Sequence, residues 1–457
     1  MKRVLIITTA FPPQPTVGRH RSVKFAKHLP EFGWEPVILT VDDRYLLDRD
    51  DDTLKELPAD LQVHRAFFLP DPLQSVRKIV HRSTLPSETQ ESSLDSRQKS
   101  RPSLPKRAFN AAMKTYWSWG RRYLCIPDQH ITWLPFALAK AFQIHRKEPF
   151  DVVMTTAPNY TTFIVGWCIK RLTGKPWIVD FRDLWTGDYH RLWVPSWRAR
   201  LESWLERTIL RRADHLITVT LRMSEFVRSL HAGFPPGRIH VITNGYDDED
   251  LPNVKAITSP GDPFTITYTG KLDSHRPAKH FLCAVGELLN ERASYKQTMR
   301  LNFFGKVHPD EQQNLQSVID KYHLAPIVNF VPYIKYKEAL LAQATSTVNL
   351  LILDHSSHNC DLVIPAKTYE YLAAGRPILA IVPEGDCKQI ILDSQAGITC
   401  DPLDVKGIKE ALRSLIEKHL KGELSFRPDP EVLSRYHRRE LTGQLARILD
   451  REVIGPP

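Results

Sequence analysis

No stretch of this chain approaches the roughly 18 consecutive apolar residues that a membrane-spanning helix needs, so no transmembrane segment is expected. The opening run, Met1-Lys-Arg-Val-Leu-Ile-Ile-Thr-Thr-Ala-Phe, is too short for a signal peptide and meets Pro12-Pro13 instead of a small-residue cleavage site. Cysteine is scarce: Cys125, Cys168, Cys283, Cys360, Cys387 and Cys400 are the six, and none stands in C-x-x-C spacing. Zinc ribbons and redox pairs are thereby disfavoured, and reduced thiols in core or loops are expected. No G-x-G-x-x-G follows the first strand, which argues against a dinucleotide cofactor. No Asp-x-Asp stands at a strand end. Asp50-Asp51-Asp52 follows a charged loop and reads as solvated surface, so neither a metal nor a cofactor is expected. The net charge of +10 and pI near 9.2 favour anionic partners: nucleic acid, nucleotide diphosphates or anionic lipid. No nucleic-acid motif accompanies the charge, so nucleic acid is not the expected partner.

What is present is a long alternation of apolar runs and amphipathic segments. At 457 residues, with 42% hydrophobic and 25% charged, two globular domains are the natural division. Arg3 to Thr9 reads as a buried strand. A loop with three prolines follows, and Gly18-Arg19 open a helix whose apolar positions are Val23, Phe25, Ala26 and Leu29. Trp34 to Thr40 is the next strand, and strand–helix–strand predicts a parallel sheet. Between residues 81 and 107 the chain turns polar and basic, as a flexible insertion would. Beyond it, Lys114, Tyr116, Trp117, Trp119, Arg121, Arg122 and Tyr123 mix rings with cations. Trp193, Trp197 and Trp204, at spacings of four and seven among arginines, form one helical stripe. Each cluster reads either as core packing with arginines facing water or as a surface for lipid headgroups.

Three places carry candidate chemistry. Pro176 to Phe181 is a strand, and Asp180, Arg182 and Asp183 stand at its carboxyl end, where open α/β sheets place ligands. Opposed charges there either pair internally or meet a ligand. After the linker at 253–263, Gly270 and Lys271 follow a new strand, with Arg276 and Lys279 close behind; cations at a strand-to-helix junction would neutralise a diphosphate. The third place is Cys360 to Val382, CDLVIPAKTYEYLAAGRPILAIV, a loop, helix, turn and buried strand. Pro365 suits a first helical turn, and Gly375 the left-handed position that ends a helix. The helix start near Ile364 offers unpaired amides to an anion. Lys367 and Glu370 share a face, either as a solvated pair or as a site. Asn244-Gly245 is a turn signal.

The motif P-x-K-x-x-E-Y-L-A-x-G-R-P, from Pro365 to Pro377, resembles the donor-site segment of GT-B glycosyltransferases of the family-4 type. D-F-R-D-x-W from Asp180 to Trp185 is similar to the bacterial polysaccharide and cell-surface subgroup, and Asn244-Gly245-Tyr246-Asp247 resembles the N-G-x-D that closes the first domain of such enzymes. The resemblance covers most of the chain. It implies two Rossmann-like parallel-sheet domains facing across a cleft: residues 1–252 on the acceptor side, 264–432 binding the nucleotide sugar, and a helix in 433–457 returning to the first domain. It gives Glu370 the ribose or diphosphate region of an activated sugar and Gly18 a close approach to the phosphates. Lys271, with Arg276 or Lys279, takes the departing diphosphate, and Tyr333 lies near the base. Two departures stand out. Arg182, followed by Asp183, replaces a usual histidine, and Leu362 replaces a usual acid with Asp361 beside it. The implied activity is retaining transfer, without a metal, from a nucleotide-diphosphate sugar to a glycan or lipid-linked acceptor in polysaccharide biosynthesis. An anionic membrane surface is a further partner, and the location is cytoplasmic or at the inner face of the membrane. The alternatives are a nucleotide-sugar epimerase, with Asp180 and Asp183 as acid and base, and a binding subunit without turnover.

Overall fold

The computed structural model describes residues 1–46, 48–68, 119, 122–123, 125–188, 191, 193–252, 262–274, 276–353, 359–425 and 428–454. The insertion expected at 81–107, the aromatic residues Tyr116 and Trp117, and most of the linker expected at 253–263 lie outside them. Two compact units emerge: Met1–Leu216 with Gly233–Arg238 and Ile448–Pro457, and Ile217–Ala232 with Ile239–Arg447.

The first sheet is built from β1 (Lys2–Ile7), β2 (Trp34–Val41), β3 (Gln62–Ala66), β4 (Val152–Ala157), β5 (Trp177–Phe181), β6 (His215–Thr218) and β7 (Ile239–Val241) in the order β3-β2-β1-β4-β5-β6-β7. β1 pairs in parallel with β2 and β4, its Leu5 opposite Val37 and Val153. Val4 to Ile7 lose all exposure, as expected of a strand covered on both faces. The helices between are α1 (Arg19–His28), α2 (Leu134–Lys147), α3 (Thr161–Thr173), α4 (Ser196–Leu210) and α5 (Leu221–Leu230). Val23, Phe25, Ala26 and Leu29 are buried as the sequence predicts. Trp193 is different: it stands before α4, because Pro195 caps that helix and Ser196 begins it, so of the three tryptophans only Trp197 and Trp204 lie on the helix. Both are about half exposed, at 47% and 57%, and belong to no core.

The second sheet contains β8 (Phe264–Thr269), β9 (Met299–Phe304), β10 (Val328–Val331), β11 (Val348–Ile352), β12 (Ile378–Ile381) and β13 (Gly397–Cys400), ordered β10-β9-β8-β11-β12-β13. Every neighbouring pair is parallel. Its helices are α6 (Lys279–Glu291), α7 (Pro309–Lys321), α8 (Tyr336–Thr345), α9 (Ala366–Ala373), α10 (Asp386–Asp393), α11 (Val405–Leu420) and α12 (Arg438–Ile454). Alternation along the strands makes two cores. Leu350 and Ile352 of β11 join Phe281, Leu282 and Leu412 on one face, while Leu351 and Leu353 join Tyr369, Leu372 and Ile391 on the other. The last turns of α12 belong to the first unit, where Asp450 accepts from Lys2 and from the Trp34 indole.

Both sheets run outward from a central strand and reverse there, at β1/β4 and at β8/β11. That reversal is where open α/β sheets bind ligands, beyond the carboxyl ends of the strands. Gly18 follows β1 and Gly270 follows β8, so the topology alone marks both loops.

Candidate functional site

In the second unit, the loop after β8 is pinned by backbone bonds from Gly270 to Phe304 (2.7 Å) and from Leu272 to Lys306 (3.0 Å). Gly270 adopts φ +120°, a conformation that side chains rarely tolerate, and a Cβ there would stand 3.2 Å from Lys367 Nζ. The loop therefore brings its backbone up to a cation. Lys367 Nζ donates to the Thr269 carbonyl at 2.8 Å and lies 3.6 Å from the centre of the Tyr268 ring. Burial drives Lys367 well below the ordinary lysine range and Arg276 adds to this, while Glu370 and Asp273 oppose it.

The remaining loop cations meet at one carboxylate. Lys271 Nζ lies 3.1 Å and Arg276 3.6 Å from Asp273, which is buried. Lys279, the first residue of α6, is exposed and makes no ion pair with Asp273 among the described residues.

α9 supplies the other side. Pro365 is its N-cap, with ψ 140°, so the helix begins one residue later than the first-turn placement expected. The amides of Ala366 and Lys367 have no acceptor among the described residues. Ile364 and Pro365 are buried beneath them. Gly375 ends the segment at φ +63°, as expected. Glu370, one turn in, accepts from Gln343 Nε2 at 3.2 Å and from the Tyr336 hydroxyl. Burial raises its carboxyl, against those two bonds and the charge of Lys367. Gln343 also donates to Thr269 Oγ1 at 3.0 Å, and the Thr269 amide donates to the Tyr371 hydroxyl at 3.1 Å. The β8 end, α8 and α9 are thus locked together by one network. Gln343, Tyr336, Thr269 and Asp273 were not read from the sequence. The first two sit in a helix of ordinary composition, and nothing in their spacing announces them.

Elsewhere in this unit, Asp361 faces Arg222 at 3.1 Å, and Leu362 is buried with its carbonyl accepting from Thr220 at 2.8 Å. The Asp361 carboxylate is therefore engaged with an arginine. Asn244 lies between Thr243 and Tyr246, whose backbone exchanges bonds with Tyr436 and Arg438; the Asn244 side chain has no partner among the described residues. Tyr333, beyond β10, is 64% exposed.

The first unit holds a separate cluster. Asp180 is fully buried and receives Arg21 Nη2 at 2.7 Å, Arg21 Nε at 2.9 Å and the Thr156 hydroxyl at 2.8 Å. Arg182 donates to the Gly18 carbonyl. A Cβ on Gly18 would lie 2.6 Å from the guanidinium, so a side chain there requires Arg182 to move; the φ of −59° is unstrained. Burial lowers Arg182 and raises Asp183, and each partly offsets the other. The predicted residues Gly18, Arg182 and Asp183 are brought together here. Asp180 is not available as an acid or base, since its charge is spent on Arg21, a partner the sequence did not suggest.

Two Rossmann-like parallel sheets, each with a glycine loop at its switch point, define a GT-B architecture, and comparison agrees. A Glycosyl transferase 4-like domain matches residues 19–245, and a Glycosyl transferases group 1 domain matches residues 263–418. The chain belongs to the family-4 type of GT-B glycosyltransferases. The glycogen synthase of Mycobacterium tuberculosis is 27% identical over 232 residues, 50% of this chain and 51% of that protein. The chain thus spans about half the length of the curated relatives it matches. Among solved structures, sucrose-phosphate synthase from Thermosynechococcus elongatus superposes with TM-score 0.63 at 13% identity, covering 99% of each chain. Anabaena HepE in complex with UDP-glucose does so with TM-score 0.63 at 12% identity, covering 98% of this chain and all of that one. At such identities the likeness concerns the fold. Among the described residues no helix is long and apolar enough to cross a membrane.

Proposed function

We propose that the protein is a retaining glycosyltransferase that moves a sugar from a nucleotide-diphosphate donor to a glycan or lipid-linked acceptor in cell-surface polysaccharide biosynthesis, working in the cytoplasm at the inner face of the membrane. The carrying observation is the convergence of Lys367, the Asp273-gathered pair Lys271 and Arg276, and the open amides of α9 at the carboxyl end of β8. A diphosphate there would meet cations and amide dipoles already fixed in place, which is the arrangement that stabilises charge on a leaving group. Glu370, held by Gln343 and Tyr336, then accepts from a donor hydroxyl. The acceptor oxygen bonds to the anomeric carbon as the bond from that carbon to the phosphate oxygen breaks. The acceptor proton passes to the departing phosphate on the same face, which retains configuration. The protein's cations supply the charge neutralisation, so no metal is assigned.

The family membership and the UDP-glucose complex of HepE support a nucleotide-sugar donor. The epimerase reading is less favoured, because the Asp180 it would need is paired with Arg21. The test is a panel of nucleotide sugars with and without glycan acceptors. Acceptor-dependent sugar transfer that is lost in Lys367→Ala and Glu370→Ala bears the proposal out. Isomerised sugar without acceptor, or transfer untouched by either change, overturns it.

A further inference from the structure

α4 is built inside out. Its inward face carries Arg198, Glu202 and Glu206, exposed by only 1%, 4% and 2%. Glu202 pairs with Arg198 and Arg191 and accepts from the Trp185 indole at 2.8 Å, and Glu206 accepts from the Thr186 amide at 3.1 Å. Arg198 also donates to the carbonyls of Arg122, Cys125 and Pro127 at 2.9, 2.7 and 3.0 Å. These charged residues are therefore consumed in holding the helix down. Its outward side carries an apolar stripe: Trp197, Leu201 and Trp204 follow the i, i+4, i+7 spacing and are 47%, 40% and 57% exposed.

The stripe is not isolated. By holding the 122–127 segment, Arg198 sets Tyr123 stacked on Trp197 at 6.3 Å, and Trp119, itself 52% exposed, lies 5.5 Å from Tyr123. Arg200 and Arg207 are exposed on α4. With both glutamates turned inward, every exposed charge on this helix is an arginine. Rings of amphipathic character beside arginines, with no carboxylate among them, complement an anionic lipid surface: rings settle at the headgroup level while long basic side chains reach the phosphates. We propose that this face of α4 docks the protein on an anionic bilayer. The inference deepens the membrane-side part of the proposed function and rests on it for its purpose, although the binding itself requires no sugar transfer.

The test is sedimentation of the full-length protein with phosphatidylglycerol/phosphatidylcholine vesicles and with phosphatidylcholine vesicles alone. Wild type is expected to partition onto the anionic vesicles and to be released by salt. Trp197→Ala/Trp204→Ala should lower the partition coefficient about tenfold or more, from the apolar area no longer buried. Arg200→Glu/Arg207→Glu should lower it by about fivefold or more for each charge, from the lost headgroup attraction. Both pairs change exposed side chains, and unchanged nucleoside diphosphate binding would verify the fold. Wild type that ignores anionic vesicles, or variants that bind like wild type, would overturn the proposal. So would a lipid-free dimer that becomes monomeric in the tryptophan variant, which would make this face a protein contact. Vesicle binding without sugar transfer would sink the catalytic reading and leave the docking face standing.

Discussion

Behind β1, the guanidinium of Arg21 and the carboxylate of Asp180 meet with 1% and no side-chain exposure, and a threonine hydroxyl completes the pair. Behind β8, the lysine and glutamate of α9 are half-buried, each pushed toward its neutral form by burial, and the nearest cations share a single aspartate. The two loops occupy equivalent places in their sheets yet differ in electrostatic completeness. The first cluster is satisfied within the chain and behaves as scaffold. The second carries more positive charge and open amide donors than its own carboxylates answer. An unbalanced cluster at a switch point is where an anionic ligand repays desolvation already incurred.

The sharpest way to break this comparison is to remove Arg21. Arg21→Met leaves Asp180 buried and uncompensated, and should destabilise the protein by about 3–5 kcal/mol in denaturant titration. Pairing it with Asp180→Leu should recover much of that loss, because a buried ion pair replaced by apolar groups is often neutral. If Arg21→Met unfolds at the wild-type midpoint, the first cluster is not scaffold.

The same kind of change behind β8 should do the reverse. Lys367→Met is expected to lower kcat about 10²–10³-fold, the usual loss on removing one fixed donor from a developing anion. Stability should hold or rise, and the sign follows from burial. A carboxyl raised in the folded protein contributes stability present below its unfolded pKa and lost as pH rises through the folded one, so neutral Glu370→Gln escapes that loss at pH 7. A lysine depressed in the folded protein costs stability at neutral pH for the corresponding reason. Melting temperatures at or above wild type, together with lost transfer, would sharpen the contrast. Lowered melting temperatures in both variants would remove it.

How much of this is legible in the sequence follows from range. The strands are readable because Val4 to Ile7 and Leu350 to Leu353 are apolar runs, and the α9 segment because proline and glycine act locally. Gly18, Gly270, Lys367 and Glu370 stand out because they fall on positions that resemble the family's motifs, not because their local pattern is decisive. Partners set by tertiary packing do not: Arg21 finds Asp180 across 159 positions, and Gln343 reaches Glu370 from another helix. The tryptophans of α4 have two readings because periodicity gives a stripe without its direction. Only the buried bonds of Glu202 and Glu206 turn the helix so that the rings face out.

A milder intervention on the first cluster is Gly18→Ala. The new methyl would stand 2.6 Å from a guanidinium bonded to the Gly18 carbonyl, so Arg182 must shift. Overpacking of this kind typically costs about 1–3 kcal/mol. Gly18→Ala combined with Arg182→Ala should give back most of it. A double variant no more stable than the single one would show that the strain lies elsewhere.

The smallest expected effect is also the most direct probe of the second cluster. If a diphosphate binds against Lys367, the bound state favours the charged ammonium that burial disfavours in the free protein, so binding takes up a proton. Affinity should then fall as pH rises through the depressed Lys367 pKa, with a limiting slope of about tenfold per pH unit for one proton. The nucleoside diphosphate titrates as well, and Lys367→Met shares whatever the ligand contributes. Calorimetry in buffers of different ionisation enthalpy would read the proton directly. Uptake in wild type that vanishes in Lys367→Met places the phosphates on this side chain; equal uptake in both moves them off it, toward Lys271 and Arg276.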